Sequence, residues 1–386
     1  MLTDETRQRD FPSLSDRVYL NSAAEGIPPP AVREALAAYF DDKELGMDGR
    51  LRHQAQWQAA RVLVGEMYGL SADEIGICSC ASEAFTLASL ALRLQPGDEV
   101  VVNDLDFPAG VSRWVQPDSP ATVRVWRHRE GVLHIDDLVP LLSPRTRLVT
   151  TSLVSFYNGF LLPLPPLVEA VRRHSAAKLI VDVTQALGRI PLDLRGVDLI
   201  VSSTHKWILA SHGGGLVGVP REQADGWTIP AAGWFHLQDP FGADRFTATA
   251  PKPGAAGFMI GMPNYPAIYA IRAALDYIRG VGVERIEAAA RPLVQHCHEE
   301  LAKLPLKLIT PGNPETQAGI VAFTHPDASR LHRVLQERRI HVMCQAGRMR
   351  IALHGYNTFR DVETLVSALR DELGRIGRST TWSATR

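Results

Sequence analysis

Residues 178–219 read KLIVDVTQALGRIPLDLRGVDLIVSSTHKWILASHGGGLVGV. Three apolar runs in this stretch, 179–183, 197–202 and 216–219, are too short for helices. Gly, Pro and polar residues bound them, so they read as buried strands. Residues able to do chemistry gather at the strand ends. Asp182 is near the end of the first run and Gln185 follows three positions later. Ser203, Thr204, His205 and Lys206 leave the second run together, and the glycine-rich 212–215 reads as a tight return into the third.

Upstream, from Glu74, apolar runs alternate with helical patterns: 75–78 before a helix over 82–94, 99–102 before a helix after Pro108, and 148–153 before a helix over 166–174. This rhythm implies right-handed crossovers and an α/β fold with a doubly wound, mainly parallel sheet, whose ligands bind at the carboxyl ends of the strands. Earlier still, Pro28 to Pro30 open a helix reaching about Lys43, and a second helix over 53–68 places Trp57, Ala60, Val64 and Met67 on one core-facing stripe. Beyond Pro220 the alternation stops, and 226–261 reads as long loops. Helices over 266–279 and 283–303 then lead to strands at 320–323 and 349–353 and helices at 328–338 and 359–373. The expected organisation is an N-terminal segment (1–30), a large domain (31–260), an interdomain helix with a smaller α+β C-terminal domain (261–373), and a loose tail (374–386).

The 386 residues suffice for a large core, and the composition, 45% hydrophobic and 22% charged, is that of a globular protein. A formal net charge of -1 gives no electrostatic case for nucleic acid or an acidic membrane surface. The opening MLTDETRQRDF lacks the apolar core of a signal peptide and no apolar run is long enough to span a bilayer, so a cytoplasmic location is expected. Cys78, Cys80, Cys297 and Cys344 are read as reduced thiols, and Cys78-Ser79-Cys80 is not a zinc spacing; no metal is expected.

An acid, an amide, a histidine and a lysine at the ends of neighbouring strands suit pyridoxal 5'-phosphate: a lysine holds the cofactor covalently and a carboxylate keeps its ring nitrogen protonated. The pair Asp182-Val183-Thr184-Gln185-Ala186 and Ser203-Thr204-His205-Lys206-Trp207 resembles the D-x-x-Q-A … S-x-H-K pattern of the fold-type I, class V pyridoxal-phosphate enzymes. That family includes cysteine desulfurases, selenocysteine lyases, kynureninases, C–S lyases and isopenicillin N epimerase. The resemblance runs from about Tyr19 to Leu369. It implies that Lys206 carries the cofactor, Asp182 pairs with the ring nitrogen, Gln185 hydrogen-bonds the phenolic oxygen, and Ser203 and His205 help to hold the phosphate.

Further segments extend the resemblance. Ala81 and Ser82, entering a helix, are similar to the family's phosphate cup, and Ser82 also reads as a plain N-cap, a compatible role. Asp106-Phe107-Pro108-Ala109 stands in the place of an E-H-H-A motif, which makes Phe107 the ring-stacking residue, against its alternative as a core aromatic. In the Val154 to Gly159 segment Phe156 replaces an asparagine, so a polar contact to cofactor or substrate is lost or passes to Tyr157 or Asn158. The YLNSAA segment containing Asn21 is similar to the family's active-site entrance. Gly261-Met262-Pro263-Asn264 resembles the G-T-P-N segment that reaches across a dimer to the partner's phosphate, implying a homodimer with Asn264 at the cofactor. Arg350, followed by Tyr356-Asn357-Thr358, resembles the arginine that grips the substrate α-carboxylate.

The expected function is that of a pyridoxal-phosphate enzyme acting on a small α-amino acid through loss of the Cα proton, with Lys206 as base. β-Elimination of sulfur from a cysteine-type substrate ranks first; epimerisation, transamination, kynureninase chemistry and cysteine desulfuration are the alternatives. Cys344 is the candidate persulfide cysteine, six residues before Arg350, a connection too short for the long catalytic loop of the desulfurases. A non-catalytic sensor or scaffold on this fold is expected to lack Lys206 or Asp182 or to carry a DNA-binding module, and none of these features is seen.

Overall fold

The computed structural model describes residues 1–383, with side chains up to residue 378. Seven strands form the main sheet: β1 (Ile75–Cys78), β2 (Glu99–Asn103), β3 (Thr122–Trp126), β4 (Thr146–Ser152), β5 (Lys178–Asp182), β6 (Leu199–Ser203) and β7 (Gly215–Gly218). Their spatial order is β1-β7-β6-β5-β4-β2-β3. Neighbours are parallel from β6 to β3, and β7 runs antiparallel to both β1 and β6. β1, β2 and β7 are buried along their whole length, which explains the apolar runs at their centres; the buried polar ends of β2, Glu99 and Asn103, are satisfied by side-chain hydrogen bonds. β3 was not anticipated. It is one of the two edge strands and all but one of its residues retain solvent contact, so TVRVW shows only a weak apolar signal.

Helices cover both faces. Helix α1 (Pro30–Glu44) and α2 (Arg50–Tyr68) pack with α5 (Tyr265–Val281), and α2 ends where Gly69 takes φ 70. Of the α2 stripe, Ala60 and Val64 are buried, with Trp57 and Met67 partly buried against the same core. Helix α3 (Ala81–Leu92) and α4 (Leu164–His174) connect strands of the sheet, whereas the helix after Pro108 is a single turn, Pro108–Val111. Residues 226–261 are mostly irregular, as expected. The architecture is the expected one: an α/β protein with a large, mainly parallel sheet.

A second sheet has the order β10-β11-β9-β8, from β8 (Lys307–Leu308), β9 (Ile320–Thr324), β10 (Met343–Gln345) and β11 (Arg348–Ala352), antiparallel throughout. Its core is shared with α6 (Val283–Ala302), α7 (Ala328–Glu337) and α8 (Phe359–Ser383). Helix α8 continues through much of the stretch expected as a loose tail; residues 384–386 of that stretch lie outside the described residues. Buried Arg189 joins the two sheets: its Nε donates to the Leu353 carbonyl at 2.9 Å and its guanidinium pairs with Glu287 on α6. Among the described residues no helix is long and apolar enough to cross a membrane.

Candidate active site

The carboxyl ends of β4, β5 and β6, the start of α3 and the second sheet enclose a cleft of about 360 Å³. Ala81, Ser82, Phe107, Asp182, Gln185, Ser203, His205, Lys206 and Arg350 all line it, although they are spread over most of the chain. Adjacent strands end in step, Ser152 beside Asp182 and Asp182 beside Val201, so the strand-end residues share one rim.

Lys206 follows β6 on a turn in which Leu209 takes φ 64 and donates its N–H to the Lys206 carbonyl at 3.0 Å. Gly26 of the N-terminal segment lies against this turn. Its N–H donates to the His205 carbonyl at 2.8 Å, and a Cβ there would fall 2.0 Å from the Lys206 carbonyl oxygen. Burial pushes the Lys206 amine down to about 8; Asp182 opposes that shift and Arg350 adds to it. The amine lies 5.2 Å from the centroid of the Phe107 ring.

Asp182 is buried, with Oδ1 accepting the Thr184 N–H at 2.7 Å. Burial raises its pKa, and the Thr184 hydrogen bonds and the Lys206 charge pull it back. Gln185 is held by its neighbours: Oε1 accepts from Trp207 Nε1 at 2.7 Å, and Nε2 donates to the Ala23 carbonyl at 3.0 Å. One amide N–H remains for a ligand. Burial, Lys206 and His212 push the His205 imidazole down to about 4, so it is neutral at pH 7. Glu25, His205 and His212 bring ligating atoms within 4.8 Å of one another. The two imidazoles stack at 4.5 Å with an interplanar angle of 16°, however. Lone pairs in near-parallel planes do not converge on one ion, and we assign no metal there.

Cys80, not Ser82, occupies the N-cap position of α3; its side chain makes no capping hydrogen bond, and Ser82 lies inside the first turn. The first amides of α3 therefore face the cleft without a side-chain cap, the arrangement a phosphate uses. Gly215 on β7 permits this approach, because a Cβ there would meet the Cys80 carbonyl carbon at 2.4 Å.

Three expected residues lie outside this cleft. Asn264 caps α5, accepting from Ala267 N and donating Nδ2–H to the Gly213 carbonyl at 3.0 Å. Tyr157 stacks against Arg348, with the guanidinium 4.5 Å from its ring centroid. Asn21 bridges to Ala352, and Ala23 and Ala24 of the same segment line the cleft instead. Sequence reasoning also missed Ser152, Thr184 and Met343 as lining residues. Behind Ser152 is Asp106, whose Oδ1 accepts the Ser152 N–H at 2.9 Å and the Ser152 hydroxyl. Burial raises the Asp106 carboxyl to about 7, against its hydrogen bonds from Ser152 and Asn103.

Arg350 is almost fully buried, its Nη1 donating to the Phe156 carbonyl at 3.1 Å and its Nε left without a partner. Neither Arg350 nor Arg348 is ion-paired with a described acid, so the cleft presents an uncompensated cation, Arg350, to an incoming carboxylate. Burial and Arg348 push the Arg350 guanidinium down to about 9, and it remains charged at neutral pH.

Residues 18–365 match the family described as Aminotransferase class-V. The chain belongs to that family. Among its relatives, the uncharacterized aminotransferase YcbU of Bacillus subtilis is 26% identical over 370 residues, covering 95% of this chain and 97% of its own. The apo cysteine desulfurase from Thermococcus onnurineus NA1 superposes with a TM-score of 0.88 at 21% identity, covering 97% and 99% of the two chains. The cystine C–S lyase C-DES, solved with its product cysteine persulfide, gives 0.85 at 24% identity, covering 94% and 99%. Pyridoxal 5'-phosphate is the cofactor of this class-V protein. The cleft fits it on physical grounds: a buried amine, a buried carboxylate at a strand end, and uncapped helix amides.

Proposed function

We propose that this class-V enzyme is a β-eliminating C–S lyase acting on a cysteine-type α-amino acid. When bound, pyridoxal 5'-phosphate supplies the electron sink for the bonding pair left at Cα. The remaining work falls to side chains of this protein. Lys206 would hold the cofactor and, once its amine is displaced, take the Cα proton; an amine brought to about 8 is a competent base near neutral pH. Asp182 would hold the proton on the ring nitrogen. Gln185 would donate its free N–H to the phenolic oxygen, and Phe107 would stack on the ring. Ala81, Ser82, Ser203 and His205 would hold the phosphate, and Arg350 the substrate α-carboxylate.

The observation that favours elimination over desulfuration is the position of Cys344. It sits on β10, packed against the second-sheet core, and burial raises its thiol pKa. Residues Ala346 and Gly347, at φ 51 and 76, close the turn from β10 to β11, with Gln345 opposite Arg348. A cysteine held in a tight hairpin has no mobile loop on which to carry sulfur away. The test is product analysis of the purified enzyme with cystine, cysteine and S-substituted cysteines. Pyruvate and ammonium in equal amounts support the lyase; alanine as the carbon product, or a D-amino acid without elimination, refutes it.

A further inference from the structure

Phe156 and Met343 flank Arg350. Phe156 is held through its carbonyl, which accepts from Arg350 Nη1 at 3.1 Å and from Arg348 Nη1 at 3.2 Å. Met343 is the direct cross-strand partner of Arg350 in the β10–β11 pair. Both line the cleft, and the Phe156 ring packs edge-on against Phe107, centroids 5.0 Å apart at 89°. A carboxylate gripped by Arg350 therefore places the rest of the amino acid within reach of an aromatic ring and a thioether.

Phe156 is also immobilised from behind. Arg348 is on β11 two residues before Arg350, hence on the same face, and it is buried without an acid partner among the described residues. Its Nη1 donates to the Phe156 and Tyr157 carbonyls, and its guanidinium lies 5.2 and 4.5 Å from the centroids of their rings. Burying a guanidinium is costly unless its donors are satisfied, and here Nη1 is spent on fixing that short segment while Nη2 donates to Gln345 Oε1 at 3.5 Å.

We propose that Phe156 and Met343 form an apolar subsite beside Arg350 that selects an amino acid with an aryl or alkyl group on its β-sulfur over cysteine itself, with Arg348 as the positioning residue of that subsite. The choice of a β-thio substrate rests on the C–S lyase reading; the preference for an apolar side chain does not. In the reaction the Cα–H and Cβ–S bonds break, the sulfur leaves as the free thiol, and the three-carbon remainder takes up one water to become pyruvate and ammonium. No oxidant or reductant is needed.

The test separates binding from chemistry. Phenylalanine and alanine have no β leaving group, so their affinities for the holoenzyme can be read from the change in cofactor absorbance. Wild type is expected to bind phenylalanine at least tenfold more tightly than alanine, since even one methylene in an apolar pocket is worth roughly tenfold or more. In Phe156→Asn and in Met343→Gln the ratio is expected to fall towards unity. Arg348→Lys, which keeps the charge but not the two-carbonyl clamp, is expected to lower the ratio without abolishing the cofactor band. Equal affinities in wild type, or an unchanged ratio in both subsite variants, overturn the proposal. A preserved ratio with no pyruvate from S-benzylcysteine sinks the lyase reading and leaves the subsite standing. Pyruvate from cysteine with equal affinities for the two probes does the reverse.

Discussion

Cys344 and Arg350 face opposite sides of the second sheet: Met343 is paired across from Arg350 and shares its cleft, so the next residue points into the core. A thiol on that side cannot reach a sulfur bound near Lys206 without unmaking the hairpin. Cys344→Ala is therefore expected to retain at least about half of wild-type turnover, with a small loss of stability from the vacated volume. Steady-state pyruvate assays on the variant check this, and loss of turnover with alanine as the wild-type product would return the enzyme to the desulfurases.

Lys206→Ala is expected to lower turnover by roughly 10³-fold or more, because one residue supplies both the covalent link and the base. Borohydride treatment and peptide mass spectrometry give an independent readout. The cofactor mass should appear on the peptide containing Lys206 in wild type and on no peptide in the variant, while circular dichroism shows an intact fold.

Capture of the cofactor by the apo-protein should depend on pH with a definite sign. Only the neutral amine attacks an aldehyde, and burial lowers the Lys206 pKa to about 8 from the usual 10.5. The amine is protonated below that value and free above it, so the rate of covalent capture should rise with pH and reach half its maximum near 8. Stopped-flow absorbance over pH 6 to 10 measures it. A midpoint near 10.5 would mean that the amine is solvated in solution.

The parts of this site that were legible in the sequence are those carried by local pattern. Short apolar runs, one ending at Asp182 and one leading through Ser203 into Lys206, place both residues at strand ends, and Pro30 and Pro108 mark helix starts. What stayed hidden depends on pairing between distant segments. Ser152 meets Asp106 and Arg348 meets Phe156 only because β4 ends and β11 begins beside the loops that carry those partners. No local pattern encodes such an approach. The uncapped start of α3 was misread at Ser82 for another reason: a serine before an apolar run has N-cap chemistry wherever it stands, and the backbone places the cap two residues earlier.

The site is expected to be completed by a second copy of the chain. Phe40, Met47 and Leu51 are 62%, 75% and 75% exposed, close together in sequence at the α1–α2 junction. Arg50 Nη1 lies 3.9 Å from Met262 Sδ, which joins this apolar surface to the segment ending in Asn264. Analytical ultracentrifugation should give twice the 42.4 kDa chain mass. The double variant Met47→Lys and Leu51→Glu should shift the protein towards monomer and weaken cofactor retention on dialysis. A wild-type monomer with full cofactor occupancy would show that Asn264 serves only as a helix cap.

Arg350→Lys tests the substrate anchor. The guanidinium is buried, carries one unpartnered Nε and faces no acid among the described residues, so its remaining donors are available to a carboxylate as a planar fork. An ammonium on a shorter, flexible stem offers one point of charge, and it leaves the Phe156 carbonyl without the donor it has at 3.1 Å. We expect kcat/KM to fall about tenfold to hundredfold, roughly 1.4 to 2.7 kcal/mol of transition-state binding. The loss should lie mainly in KM, with the absorbance of the resting cofactor unchanged. Amines lacking the α-carboxylate distinguish this role from a structural one: their slow reaction should be equal in wild type and variant. A parallel loss on such amines would place the contribution of Arg350 in the architecture of the cleft and not in carboxylate recognition.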